Sequence, residues 1–411
     1  MRFSKGYSTK KKQHGWRFFF VSAGIVVIAA FSAIVVVPAV APHAAGQSAD
    51  ILRAIIGPTA VAQLESVSFR IQDVINQYRY KISGGQAQIS WNATSQPIAP
   101  TPVSTLAVAE PLNTIVPPTA LATSVVVDAS PTPADPLSSD PSSALGWQPY
   151  GQMVNGKVVL QRALVTADPT RPYEAVALIR MDLTQLQLNI MPGIKDPIPM
   201  GDIPETIPNQ GTVPPSQWNV LVAAFNGGFK AIHGKYGMMV DNVTLIDPIN
   251  RIATVAVYKN GDVRIGVWGT DIMPSSDIIA YRQNCPPLIE NGQITNYVDN
   301  PSRQLWGMTQ AADATWRTGL GITQDNRYLI YGVGNATTAP SLASALQAGG
   351  AYWAMQLDIN SGYERFITYQ PNNSGTGLPL TPQPLLSEMK SDASVYLTPS
   401  DRDFFYMTAR Q

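Results

Sequence analysis

Cysteine and histidine are nearly missing from this sequence. The 411 residues hold one cysteine, Cys285, and three histidines, His14, His43 and His233. A single cysteine excludes an intrachain disulfide framework and a cysteine-rich zinc site. Histidines so far apart form no His-x-x-x-His pair, so a catalytic zinc of the usual kind is not expected, and no metal or cofactor is assigned. Charge is scarce too: 14% of residues are charged, against about 25% in an average soluble domain. There is no basic surplus, with 28 Lys+Arg against 28 Asp+Glu. That argues against nucleic acid as a partner, because phosphate contacts need clustered cations. No G-x-S-x-G elbow, Walker loop or helix-opening G-x-G-x-x-G turn occurs.

What charge there is lies unevenly. Arg2, Lys5, Lys10, Lys11, Lys12 and Arg17 give residues 1–17 a charge of +6, and the remainder carries −6. Between them the run Phe18–Val37 holds 20 residues without a charge. At helical rise it spans about 30 Å, the thickness of a bilayer's hydrocarbon core. The basic flank predicts a cytoplasmic N-terminus, an anchor over residues 18–38 and an extracytoplasmic remainder. A cleaved signal peptide ending at Ala39-Val40-Ala41 is the rival. Its apolar core is normally shorter, and Pro42 makes a poor cleavage position.

Residues 39–91 form a helical, membrane-proximal segment. Leu64, Val67, Ile71, Val74 and Tyr78 recur at helical spacing, and Gly57-Pro58 is expected to split the helix in two. The stripe predicts either docking on the chain's own domain, which is favoured slightly, or a short dimerising stalk. Residues 92–145 hold ten prolines, four acids and no Lys or Arg. They read as a proline-stiffened disordered linker, holding the last domain away from the membrane. Residues 146–411 carry six of the eight tryptophans in short apolar runs broken by Gly, Asn and Pro. They predict an α+β domain: a strand-rich mixed sheet with a hairpin turning at Asn260-Gly261 and a C-terminal strand–helix–strand unit.

Three places in that domain suit chemistry. After the strand NVLVAAF comes Asn226-Gly227-Gly228-Phe229, where glycines let backbone approach a ligand; a plain turn is the alternative. In Trp316-Arg317-Thr318-Gly319, Arg317 offers a planar fork for phosphate or carboxylate and Trp316 a face for a sugar. A surface ion pair and a core tryptophan are the bland readings. In Gln356-Leu357-Asp358-Ile359-Asn360-Ser361-Gly362, Asp358 ends a strand after a crossover, where ligand sites form. There it suits an acid, a base or a nucleophile, or simply a turn hydrogen bond. Cys285 reads as a small buried side chain and His233 as a loop residue.

In this order and spacing the three places resemble the phosphodiester glycosidase family over roughly residues 150–400. The family's N-G-G-F-F is matched by Asn226-Gly227-Gly228-Phe229-Lys230. Tyr236 to Asn242 resembles its G-x-x-x-x-x-G stretch, and Cys285 to Gly292 its G-P-x-L-V-x-N-G element. R-T-A-I-G-I-T is matched by Arg317 to Thr323, and A-L-N-L-D-G-G-G-S by Ala354 to Gly362. The resemblance implies a hydrolase that cleaves a sugar phosphodiester at the anomeric carbon, on cell-surface or exopolysaccharide glycan. Carried over, Asp358 would be acid/base or nucleophile, Arg317 would steady phosphate and Asn226 would orient the substrate. Gly227, Gly228, Trp316, Thr318, Gln356 and Ser361 would line the substrate. The sequence departs from the pattern where Ile359-Asn360-Ser361 replaces glycines and Gln356 replaces Asn. Ile359 does not readily adopt the positive φ open to glycine. The departures favour a second reading, a catalytically lapsed glycan-binding surface module.

Overall fold

The computed structural model describes residues 51–85, 144–198, 207, 211–307, 309–360, 362–363, 365–372, 378–389 and 392–411. No helix among these is long and apolar enough to cross a membrane. The run Phe18–Val37, the linker up to residue 143 and Ser361 lie outside them.

In chain order the elements are α1 (Pro58–Ile82), β1 (Gln148–Val154), β2 (Lys157–Val165), β3 (Val176–Asp182), β4 (Leu186–Met191), β5 (Leu221–Asn226), β6 (Met238–Val240), β7 (Val243–Ile246), β8 (Ala253–Tyr258), β9 (Val263–Val267), β10 (Ile278–Gln283), β11 (Pro287–Glu290), β12 (Gln293–Ile294), β13 (Thr315–Ile322), β14 (Tyr328–Thr337), α2 (Ala339–Ala348), β15 (Trp353–Gln356), β16 (Phe366–Pro371), β17 (Leu380–Pro384) and β18 (Phe404–Ala409). They form a strand-rich domain with few helices. One sheet has the order β1-β2-β3-β14-β13-β15-β11-β12, a second β7-β6-β10-β8-β9 and a third β17-β16-β5-β18-β4. The expected hairpin is β8–β9, with Val257 opposite Val263. The expected strand–helix–strand unit is β14–α2–β15. Both strands pair antiparallel with β13, which lies between them.

The central strands of the eight-stranded sheet, β3, β14, β13 and β15, are buried on both faces. One face meets the other two sheets in a core that includes Ile179, Leu320, Tyr331, Met355, Phe225 and Phe405. The other meets α2 through Leu178, Ile330, Leu342 and Leu346. This packing accounts for the glycines of the Arg317–Gly321 stretch. A Cβ on Gly319 would stand 2.9 Å from Leu346 and 3.0 Å from the Met355 carbonyl oxygen, so glycine there lets α2 settle on the sheet.

The N-terminal helical segment breaks at Gly57, between helical residues 51–56 and α1. It docks on the domain, but not by the apolar stripe that the sequence singles out. Ser66 donates to Asp313 at 2.7 Å, Arg171 and Tyr173 each donate to Asp73 at 2.7 Å, and Arg303 donates to the Ala62 carbonyl at 3.1 Å. Ala62, Ser66, Asp73, Gln77 and Tyr80 line this docked face. Val67, Ile71, Val74 and Tyr78 lie about a third of a turn away and are exposed. The linker, outside the described residues, joins α1 to a domain that α1 already touches.

Candidate functional site

The site gathers where four segments meet: the turn after β5, the end of β15, the approach to β18 and the loop after β4. β5 is buried along its whole length and carries Asn226 at its end. The Asn226 carboxamide is saturated. Its Oδ1 accepts from the Tyr331 hydroxyl at 2.8 Å and the Arg365 amide at 3.3 Å. Its Nδ2 donates to Thr318 Oγ1 at 2.9 Å, and Thr318 donates on to the Asp358 carbonyl at 2.6 Å. Asn226, Thr318 and Asp358 are therefore brought together, with Asn226 and Thr318 acting as braces.

Gly227 and Gly228 are close to other groups of the protein rather than open to a ligand. A Cβ on Gly227 would fall 2.1 Å from Asp403 Oδ2, and one on Gly228 would fall 2.9 Å from the Arg282 guanidinium carbon. The pair Arg282–Asp403, at 2.9 Å and with both side chains almost wholly buried, forms a post against which the turn lies. Asp403 also accepts from the Gly228 amide at 3.0 Å, and Arg282 donates to the Phe229 carbonyl at 2.6 Å. A buried pair with this many partners avoids the cost of an uncompensated charge.

Arg317 is committed to the protein itself. Its guanidinium is fully buried and donates to the carbonyls of Thr337, Gln310 and Asp313 and to Gln356 Oε1 at 2.6 Å. Successive side chains on a strand alternate faces. Thr318 therefore points toward Asp358 while Arg317 points to the α2 side. Gln356 goes with Arg317 and also donates to Cys285 Sγ at 3.8 Å. Trp316 is half-buried and packs against the main core. Cys285 is fully buried and its thiol is pushed up to about 12, chiefly by burial.

The cation beside Asp358 is Arg402, which sequence reading missed. Arg402 Nη2 lies 2.5 Å from Asp358 Oδ2, and its Nε lies 3.3 Å from Asp196 Oδ2. Its guanidinium sits 4.9 Å from the centre of the Tyr363 ring and donates to the Gly228 carbonyl at 3.2 Å. Asp358 Oδ1 accepts from the Ile359 and Asn360 amides at 2.8 and 3.3 Å. Burial raises the Asp358 carboxyl above the usual range, with Asp403 adding to it, while Arg402, the Ile359 amide and Lys230 pull it back. Asp196 is likewise raised by burial against the pull of Arg402 and Lys230. Burial works against the charge on Arg402, but Asp358, Asp196 and Asp403 hold it. Lys230 stands at the last Phe of the family's N-G-G-F-F pattern. Among the described residues no three His, Cys, Asp or Glu side chains converge as metal ligands. The site thus sets a buried carboxylate, Asp358, against the buried guanidinium of Arg402, with Lys230 near enough to lower the carboxyl.

No curated protein sequence matches this chain. Among solved structures, it is similar to the catalytic domain of zebrafish N-acetylglucosamine-1-phosphodiester alpha-N-acetylglucosaminidase, auto-inhibited by its pro-peptide. The identity is 14% and the TM-score 0.42, over 63% of this chain and 86% of that one. A hypothetical protein from Synechocystis is similar at 10% identity and TM-score 0.39, over 64% of each chain. The stretch 219–358, which runs from the strand before Asn226 to Asp358 itself, matches the family model of the phosphodiester glycosidases.

Proposed function

We propose that this chain is a membrane-anchored, extracytoplasmic hydrolase of a sugar phosphodiester, working at Asp358. The observation that carries the reading is the buried Asp358–Arg402 pair at the end of β15, at the C-terminal limit of the family match. Lys230 and Arg402 hold the phosphate by charge-assisted hydrogen bonds. Asp358 takes a proton from water, whose oxygen joins the anomeric carbon as the bond to the phosphate oxygen breaks. The proton passes to the departing phosphomonoester. The uncharged run 18–37 behind its basic tail supports the anchor, and the family match supports a glycan substrate.

One observation favours the second reading, a glycan-binding module without turnover. Asp358 is only 4% exposed, and both of its carboxylate oxygens are engaged. The test is to incubate the full chain with an N-acetylglucosamine phosphodiester. Free sugar from the natural chain and none from Asp358→Asn supports the hydrolase. No release, with glycan retained, supports the module.

A further inference from the structure

We propose that the exposed apolar face of α1 lies on the surface of an anionic bilayer, with the helix held between the membrane and the domain. Among the described residues, fourteen large apolar side chains are exposed, and eight belong to one helical segment: Ile51, Ile55, Val67, Ile71, Val74, Ile75, Tyr78 and Ile82. From Val67 onward they fall on a single stripe of α1 at spacings of three and four. The face about a third of a turn away is already occupied, since Ala62, Ser66 and Asp73 contact the domain. The stripe faces away from the domain.

Charge selects the occupant. Exposed Arg70 and Lys81 border the stripe on one side and exposed Arg79 on the other. The two acids of the segment are turned elsewhere: Asp73 pairs with Arg171 at 2.7 Å and Glu65 with Arg53 at 2.7 Å. An apolar stripe between basic borders is the pattern of a helix lying at a lipid interface. A second copy fits less well. Parallel pairing of two such stripes would set the Arg70 and Lys81 border of one chain against the Arg79 border of the other, with no acid to answer either. Chain length agrees with lipid. The first described residue is Ile51, already helical, and the residues between Val37 and Ile51 reach at most about 45 Å, so the segment stays close to the bilayer. The inference rests on residues 18–37 being a membrane anchor.

The experiment uses the full chain with Val74→Cys, bearing an environment-sensitive fluorophore. Cys285 is fully buried and stays unlabelled. Gln72→Cys, exposed on the same helix but off the stripe, is the companion. The chains are reconstituted into vesicles of phosphatidylcholine with phosphatidylglycerol, or of phosphatidylcholine alone, each containing a nitroxide lipid. Emission at 74 should shift to the blue and be quenched several-fold more than at 72. The effect should be greatest in anionic vesicles and reduced when Arg70, Arg79 and Lys81 become Gln. A label at 74 that stays water-like in vesicles that carry the chain overturns the helix proposal and leaves the anchor standing. Chains that fail to float with vesicles overturn both. Disulfide-linked pairs through unlabelled Val74→Cys overturn it in favour of a second copy.

Discussion

Asp358 and Arg402 hold each other in a place nearly closed to water, and each sets the charge of the other. Replacing Arg402 with Gln removes the counter-charge that offsets burial, so the Asp358 carboxyl should rise further. Hydrolysis through the carboxylate falls as pH drops through that value. The acid limb of the pH–rate profile should therefore move to higher pH in Arg402→Gln, and a profile that stays in place would count against the assignment. Arg317 makes the opposite kind of prediction. Truncating it to Ala strands the carbonyls of Gln310, Asp313 and Thr337 in a buried place. It should cost about 3 kcal/mol or more in denaturant unfolding, since each buried acceptor left unsatisfied costs about 1–3 kcal/mol. Glu174 reports on the same region. Burial raises its carboxyl from 4.5 to about 7. The unfolded chain loses this proton near 4.5 while the folded chain keeps it up to about 7. The stabilisation is therefore full at low pH and is lost between those values, by about 3 kcal/mol. Glu174→Gln should flatten that fall and melt higher than the natural chain at pH 8. At this scale the sequence exposed Asp358, Asn226 and Thr318, because each ends or lies on a patterned strand. Arg402, Asp403 and Asp196 sit in loops with no local pattern. Their partners are distant in the chain, with Gly228 lying 174 residues before Arg402, so only the folded chain could show them.

The hairpin β8–β9, the helix α2 and the strands around them follow from local chemistry, and the sequence showed them. Apolar runs end at Asn260-Gly261 and at Gly349-Gly350, and Thr338 caps α2 by accepting from the Ser341 amide. The direction in which α1 faces was not legible. An apolar stripe normally marks the buried side of a helix, whereas here the buried residues are Val61, Ala62 and Ser66, and the docked face meets Asp313, Arg171 and Tyr173. Asp73→Ala should loosen that attachment, raising amide exchange across Pro58–Ile82 while leaving β5 and β13 protected. At the α2 contact, Gly319→Val should destabilise the domain by about 1–3 kcal/mol or more, since the added methyls meet Leu346 and the Met355 carbonyl.

For the molecule as a whole, the zero net charge is a sum of +6 before the long apolar run and −6 after it. The order of sheets and their packing was beyond the sequence, because it depends on pairings between strands hundreds of residues apart. The linker joins two parts that already touch. Half of residues 92–145, fully extended, would reach about 90 Å, well beyond the roughly 50 Å across a domain of this size. Deleting half of it should leave α1 docked and the melting temperature within a few degrees, since loop closure depends only weakly on length.

The placement of β18 has a consequence in time. It fills the gap between β4 and β5, and just ahead of it come the Arg402 that grips Asp358 and the Asp403 that props the Gly227-Gly228 turn. During synthesis the Asn226 turn emerges some 175 residues before Asp403. Until that late segment arrives, the third sheet has an open slot and Asp358 lacks its Arg402 partner. A chain halted before residue 402 would have every motif of the family match and no working site. The completed centre can exist only after nearly the whole domain has left the ribosome and, on the anchored topology, reached the far side of the membrane.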